Sequence, residues 1–153
     1  MTSSLRLEQV TPENIGDAFK IEIRPEQEGT VAPVERSLAE AYASRETAWP
    51  RLVYDGDRLV GFIMGNFDPG ASIDIFRYGI WRLNIAAEHQ GKGYGRFAVE
   101  ALCEEARRRG AKRVTVLWVP DHEHGAEEFY LKLGFRRTGQ VFDGEIVGEL
   151  LLD

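Results

Sequence analysis

The chain has 153 residues, 43% of them hydrophobic and 29% charged, with a formal net charge of -6. That length suits one domain, residues 1–153, with a respectable core, and the composition is globular and not that of a disordered chain. The negative balance repels a nucleic-acid backbone or an anionic membrane and favours cationic partners, while a single cysteine, Cys103, excludes an internal disulfide framework and suits a reducing compartment.

Met1 to Glu8 lacks a basic region followed by an apolar one, and no apolar run approaches the ~18 residues of a membrane span, so the expectation is an unprocessed cytoplasmic protein. Leu5 and Leu7 alternate with Arg6 and Glu8 as a first strand. Thr11 as N-cap and Pro12 at the first helical position predict a helix carried by Ile15, Ala18, Phe19 and Ile23 towards Pro25. Pro25 to Pro33 reads as a loop, and Val34, Leu38 and Ala41/Tyr42 as a second helix. Arg51 to Tyr54 and Arg58 to Gly65 flank the turn Asp55-Gly56-Asp57 as a hairpin. Ile75 to Ile85 reads as one strand, followed by a helix lasting to about Arg109 with Gly110 as its cap. Arg113 to Val119 is a β-branched strand, near-continuously apolar and so expected to be covered on both faces. A short helix around Tyr130 ends at Gly134, and Asp143-Gly144 joins Gly139–Phe142 to Glu145–Leu152 in a final hairpin.

Between strand and helix lies Gln90-Gly91-Lys92-Gly93-Tyr94-Gly95-Arg96. Glycines let the backbone turn tightly and approach a ligand, and a helix N-terminus offers unpaired N–H groups and the positive end of its dipole, so a phosphate or pyrophosphate is the natural occupant. No lysine sits in the P-loop frame, and Arg96 stands where the dinucleotide fingerprint needs its third glycine. The pattern that remains, Gln-x-x-Gly-x-Gly, resembles the acetyl-CoA pyrophosphate loop of the GNAT family of N-acetyltransferases; a glycine-rich turn with no ligand is the plain alternative. Downstream, Ala126-Glu127-Glu128-Phe129-Tyr130-Leu131-Lys132-Leu133-Gly134-Phe135 resembles that family's tyrosine segment. By spacing alone, Ala126, Phe129, Tyr130 and Leu133 form one apolar stripe, and Tyr130 reads equally well as a core residue.

The resemblance covers nearly the whole chain. It implies the GNAT fold, an α+β architecture of order β-α-α-β-β-β-α-β-α-β-β whose mostly antiparallel sheet splays at its centre. It implies acetyl-CoA as cosubstrate, held by Leu83, Asn84 and Ile85, by the loop residues Gln90, Gly91, Lys92, Gly93, Tyr94, Gly95 and Arg96, and by Tyr130 beside the CoA sulfur. Tyr130 is then the candidate general acid for the leaving thiolate, since its reference pKa near 10 lies just above that of a thiol. A primary alkylamine is neutral in only about one molecule in 2,500 at pH 7, so a base or water chain must deprotonate it. Glu22, Glu26, Glu28 and Asp74 are candidates, with Glu28 put forward as base or substrate carboxylate and a solvated surface role as the alternative for each. Cys103, beside a buried stripe, reads as a small core residue. His122-Glu123-His124 lacks a regular ligand framework, so no metal is expected, and Glu123 stands where many family members carry a CoA-contacting asparagine.

For the acceptor, residues 8 to 46 hold nine acidic and four basic side chains, a field that favours a polycation. Pro25 to Pro33, Ser37 to Ala41 and Trp81-Arg82-Leu83 are similar to bacterial spermine/spermidine N-acetyltransferases. Glu22, Glu26, Glu28 and Trp81 are therefore the expected acceptor contacts. An amino-bearing antibiotic or a protein lysine is the enzymatic alternative, and a CoA-binding regulatory domain without turnover the alternative of another class. The expected partner is a small cationic amine, with neither nucleic acid nor membrane, and a homodimer left open.

Overall fold

The computed structural model describes residues 4–23, 32–120 and 126–153. Seven strands form one sheet in the order β1-β2-β3-β4-β5-β7-β6, with β1 Leu5–Glu8, β2 Ala48–Asp55, β3 Arg58–Phe67, β4 Tyr78–Ile85, β5 Arg113–Trp118, β6 Arg136–Phe142 and β7 Glu145–Leu151. Every neighbouring pair is antiparallel except β4 and β5. Four helices complete the described fold: α1 Ile15–Ala18, α2 Val34–Ala43, α3 Tyr94–Arg108 and α4 Glu127–Lys132.

The period-2 alternation of the strands and the 3.6 period of the helices divide the core between two sheet faces. On one face α3 lays Ala98, Leu102 and Ala106 against Val53, Ile63, Val114 and Val116, and Trp118, Tyr130 and Phe135 close the end below α4. On the other, Val34 and Ala41 of α2 and Ala18 of α1 cover Leu52, Phe62 and Met64. β5 is buried on both faces, as its apolar run implies.

Four elements differ from the sequence pattern, among them β2, which begins at Ala48, three residues before the expected Arg51. The first helix shrinks to α1, because the Asn14 side chain accepts the Thr11 N–H at 2.8 Å and closes a turn where a Thr11 cap was expected. The chain beyond it docks by the Glu22 carbonyl, which accepts the Ala87 N–H at 2.6 Å. β4 starts at Tyr78, since Asp74–Phe76 is a 3₁₀ turn whose carbonyls are taken by side chains: Thr115 donates to Ile75 O at 2.5 Å and Asn66 to Phe76 O at 2.8 Å. β6 begins earlier than expected, at Arg136, with its register broken between Arg137 and Val141 around Gly139. The closing turn keeps the expected form, with φ of 49° at Asp143 and 81° at Gly144.

Candidate functional site

β4 and β5 pair only at Gly79↔Thr115 and Ile80↔Val116. Beyond that seam they part. Trp81 is an extra residue in β4, because Met64 pairs with Arg82 and the next residue, Gly65, with Ile80; such a bulge bends the strand away from its neighbour. Ladder bonds alternate along an antiparallel pair, and Ala86 donates to Val60 O at 2.9 Å. Asn84 therefore pairs its backbone with Phe62, while Leu83 and Ile85 turn their N–H and C=O groups towards the gap.

The gap is a cleft of about 560 Å³ that reaches from the glycine turn at the head of α3 to the start of β7. Gly91 and Gly93 hold φ of 80° and 85°, and open space stands where their Cβ atoms would be. Their conformation is one that L side chains rarely adopt, so glycine is needed for the turn itself. At Gly95 the need is contact: a Cβ would lie 3.1 Å from the Phe129 ring. The Gln90 side chain donates to Ile85 O at 2.9 Å and braces the turn on the end of β4. Tyr94 donates to Asp55 at 2.6 Å, tying the head of α3 to the β2–β3 turn. The bonds from Ser4 and Tyr94 hold the Asp55 carboxyl below its usual range.

Tyr130 is 5% exposed and lines the cleft. Aromatic rings fix it: Trp118 stacks on it at 5.9 Å and 8°, and Phe129 and Phe135 meet it edge-on at 5.0 and 5.3 Å. Its hydroxyl has no hydrogen-bond partner among the described residues. Burial, with the neighbouring Cys103 second, pushes its pKa well above the ordinary value. The near-balanced transfer expected from the reference pKa is thereby corrected, since a buried phenol holds its proton more tightly. Cys103 itself is buried, with its pKa pushed up to about 11 by desolvation.

Of the expected cofactor residues, Leu83, Ile85, Gln90, Gly91, Gly93, Tyr94, Gly95, Arg96 and Tyr130 line the cleft. Asn84 and Lys92 do not: the Asn84 side chain is buried on the α2 side, donating to Ala32 O at 2.8 Å, and Lys92 is exposed. Trp81 lines the cleft, whereas Glu22 is exposed and does not, although its neighbour Ile23 does. Asp74 pairs with Arg113 at 3.5 Å. Glu26, Glu28 and His122 to His124 lie outside the described residues.

Four titratable lining residues are not among the expected contacts: Arg82, which the sequence marks only within Trp81-Arg82-Leu83, His89, Lys132 and Glu145. Arg82 is half-buried and donates to Glu40 of α2 at 2.8 Å; burial lowers its pKa and the Glu40 charge opposes that. His89 stands 3.7 Å from Glu88, with its Nδ1 buried and unpartnered among the described residues. Glu145 opens β7, and only the β5–β7 pairing brings it to the cleft. No local pattern in the sequence marks it.

A splayed sheet with a glycine turn at its cleft defines a class of acyl-transfer folds, and the comparisons agree. Residues 16–135 match the model of the acetyltransferase (GNAT) family, and the chain belongs to that family. It is 32% identical over 109 residues to an L-methionine sulfoximine/L-methionine sulfone acetyltransferase of Salmonella typhimurium, covering 70% of this chain and 62% of that one. To rat N-acetyltransferase 8F1 it is 35% identical over 63 residues, 41% of this chain and 28% of the other. The chain thus spans less than two thirds of these curated relatives' length. Among solved structures, PaiA N-acetyltransferase of Thermoplasma acidophilum, in complex with coenzyme A, superposes with a TM-score of 0.71 at 14% identity, over 97% of this chain and 99% of that one.

Proposed function

We propose that this chain is an acetyl-CoA-dependent N-acetyltransferase acting on a primary amine of a small cationic substrate, by direct attack in a ternary complex. The observation that carries this reading is the gap in mid-sheet, with a positive-φ glycine turn at one end and the buried Tyr130 hydroxyl in its wall. The residues fit a CoA-type ligand: open space over Gly91 and Gly93 admits a pyrophosphate to the N–H groups at the head of α3, and the Leu83 N–H and C=O and the Ile85 N–H face the gap, where an amide-bearing arm can pair with them. Acetyl-CoA supplies the activated acetyl group as a thioester.

The chain's own part is to bind, orient and handle protons. The Ile85 N–H is assigned the acyl oxygen, whose negative charge grows during attack. Tyr130 is assigned the leaving sulfur. With its pKa raised, it acts first as a hydrogen-bond donor to the thiolate, in a site walled by Trp118 and Phe129 where that bond is strong. Cys103 takes no part, since a thiol with a pKa of about 11 is a poor source of thiolate at neutral pH.

Spermidine and spermine lead as acceptors, supported by the acidic excess of residues 8 to 46 and the polyamine-type resemblance of the segments around it. A second reading, an amino-acid acceptor, draws on Arg82 in the cleft and on the substrates named for the Salmonella relative. An α-carboxylate would there compete with Glu40 for the guanidinium. Thiol release from acetyl-CoA with a panel of spermidine, butylamine and methionine sulfone decides between them. Release with none of a broad amine panel would sink the enzymatic reading and favour a CoA-binding regulator.

A further inference from the structure

The charges that line the cleft are mostly spent on neighbours. Arg82 is paired with Glu40 at 2.8 Å, Arg96 with Glu100 at 3.4 Å and Lys132 with Glu128 at 3.1 Å. Glu145 differs from them. It is the only carboxylate among the described residues that line the cleft, and among those residues it makes neither an ion pair nor a side-chain hydrogen bond.

Its place in the fold indicates which side it serves. Ile146 pairs with Trp118, so Glu145 lies where β5 runs out of the sheet, across the gap from β4. Ile146 packs with Trp118 into the core beneath α3 and α4, so strand alternation turns Glu145 to the opposite face, the one on which the Arg82 guanidinium reaches α2. Glu145 therefore faces the α2 side of the cleft, while the glycine turn and Tyr130 belong to the side covered by α3 and α4.

Chemistry then separates two possible duties. A carboxylate with a reference pKa near 4.3 is a poor base for an ammonium near 10.4, a mismatch of about six pKa units. Set against the reacting nitrogen, it would hold that nitrogen protonated and oppose attack. Set against a second ammonium, it costs the reaction nothing and fixes the far end of the substrate.

Resting on the amine-acetylation reading, we infer that Glu145 anchors a second, non-reacting ammonium, so that the acceptor is a diamine or polyamine entering from the α2 side. Glu145 is a binding residue in this assignment, and the reacting amine attacks from its small neutral fraction, in equilibrium with the buffered solvent that takes up its proton. A charge-assisted hydrogen bond of this kind is worth about ten- to a hundredfold in affinity.

The test titrates 1,4-diaminobutane and butylamine into the CoA-saturated protein by calorimetry, in the wild type and in Glu145→Gln and Glu145→Asp. The expected result is a diamine-to-monoamine affinity ratio that falls about ten- to a hundredfold in Glu145→Gln and less in Glu145→Asp. An unchanged ratio overturns the assignment, and so does wild-type protein that binds neither amine. Weakened CoA binding in Glu145→Gln would also overturn it, because the residue would then be holding the cleft's shape. Thiol release is measured in parallel on the wild type: its absence with every amine rejects acetyl transfer, whereas the binding ratio judges Glu145 independently.

Discussion

Gly148→Ala, on β7 and remote from the glycine turn, should disturb the site through packing alone. An ideal Cβ at Gly148 would stand 2.3 and 2.5 Å from Cζ3 and Cη2 of Trp118. Carbon atoms prefer about 3.5–4.0 Å, so the indole must retreat by more than about 1 Å. Trp118 is 2% exposed and stacked on Tyr130, and the displacement is passed to the tyrosine. Gly148 has no positive φ, so backbone strain contributes nothing. Overpacking of this kind costs about 1–3 kcal/mol, opposed by about 0.4–1 kcal/mol from the stiffer unfolded chain. The net loss, up to about 2.6 kcal/mol, lowers Tm by as much as about 10 °C in a protein of this size. Thermal unfolding and kcat are measured for Gly148→Ala, Trp118→Phe and the double variant. The smaller ring removes the clash, so the two changes should be non-additive. Wild-type Tm and kcat in Gly148→Ala, or additive effects in the double variant, would refute the packing argument.

Gly93→Val should leave a folded protein whose CoA affinity falls sharply, since nothing crowds its Cβ yet φ of 85° is denied to a β-branched residue; calorimetry against CoA reads this directly. Tyr130→Phe should keep CoA binding while kcat drops about 10²- to 10⁴-fold in a steady-state assay, because only the proton donor is lost. Cys103→Ala should retain turnover, and the native thiol should resist a thiol-reactive disulfide at pH 8. The same group sets a pH dependence. Its folded pKa of about 11 lies above the ordinary thiol value, so its contribution to stability is whole below about pH 8.5 and is lost as pH rises towards 11. Denaturant midpoints across that range should fall in the wild type and fall less in Cys103→Ala. CoA at a hundredfold excess over its Kd should raise stability by about 2.7 kcal/mol, seen as a Tm increase of about 5–11 °C.

Local signals carried most of the fold. The helix over Tyr94–Arg108, the turn at Asp143-Gly144 and the apolar run of β5 follow from periodicity and turn chemistry, which act over a few residues. Asn14, Asn66 and Thr115 redrew the boundaries of α1 and β4 by side-chain bonds to the backbone, and the bond from Thr115 reaches across the fold to a carbonyl no sequence window connects with it. The site divides in the same way. Its glycine turn and Tyr130 are contiguous motifs and were legible, whereas Arg82, His89 and Glu145 meet only after β4, β5 and β7 have taken their register. Asn84 does not line the cleft because three successive strand residues do not share an edge: the alternation of the ladder gives Leu83 and Ile85 to the cleft and Asn84 to β3.

The parting of β4 from β5 has a consequence for solubility. Unpaired strand edges normally lie at the rim of a sheet, where they invite another polypeptide to add on, and proteins blunt them for that reason. Here such an edge is kept bare in the middle of the sheet, fenced by β5 on its open side. A further β-strand inserted there would need two ladder spacings, about 9.5 Å between β4 and β5. It would also need side-chain room where Trp81, Phe129 and Leu133 already stand. The same unpaired amides that would make an outer edge sticky can therefore serve a slim, amide-bearing arm while turning away a second protein chain.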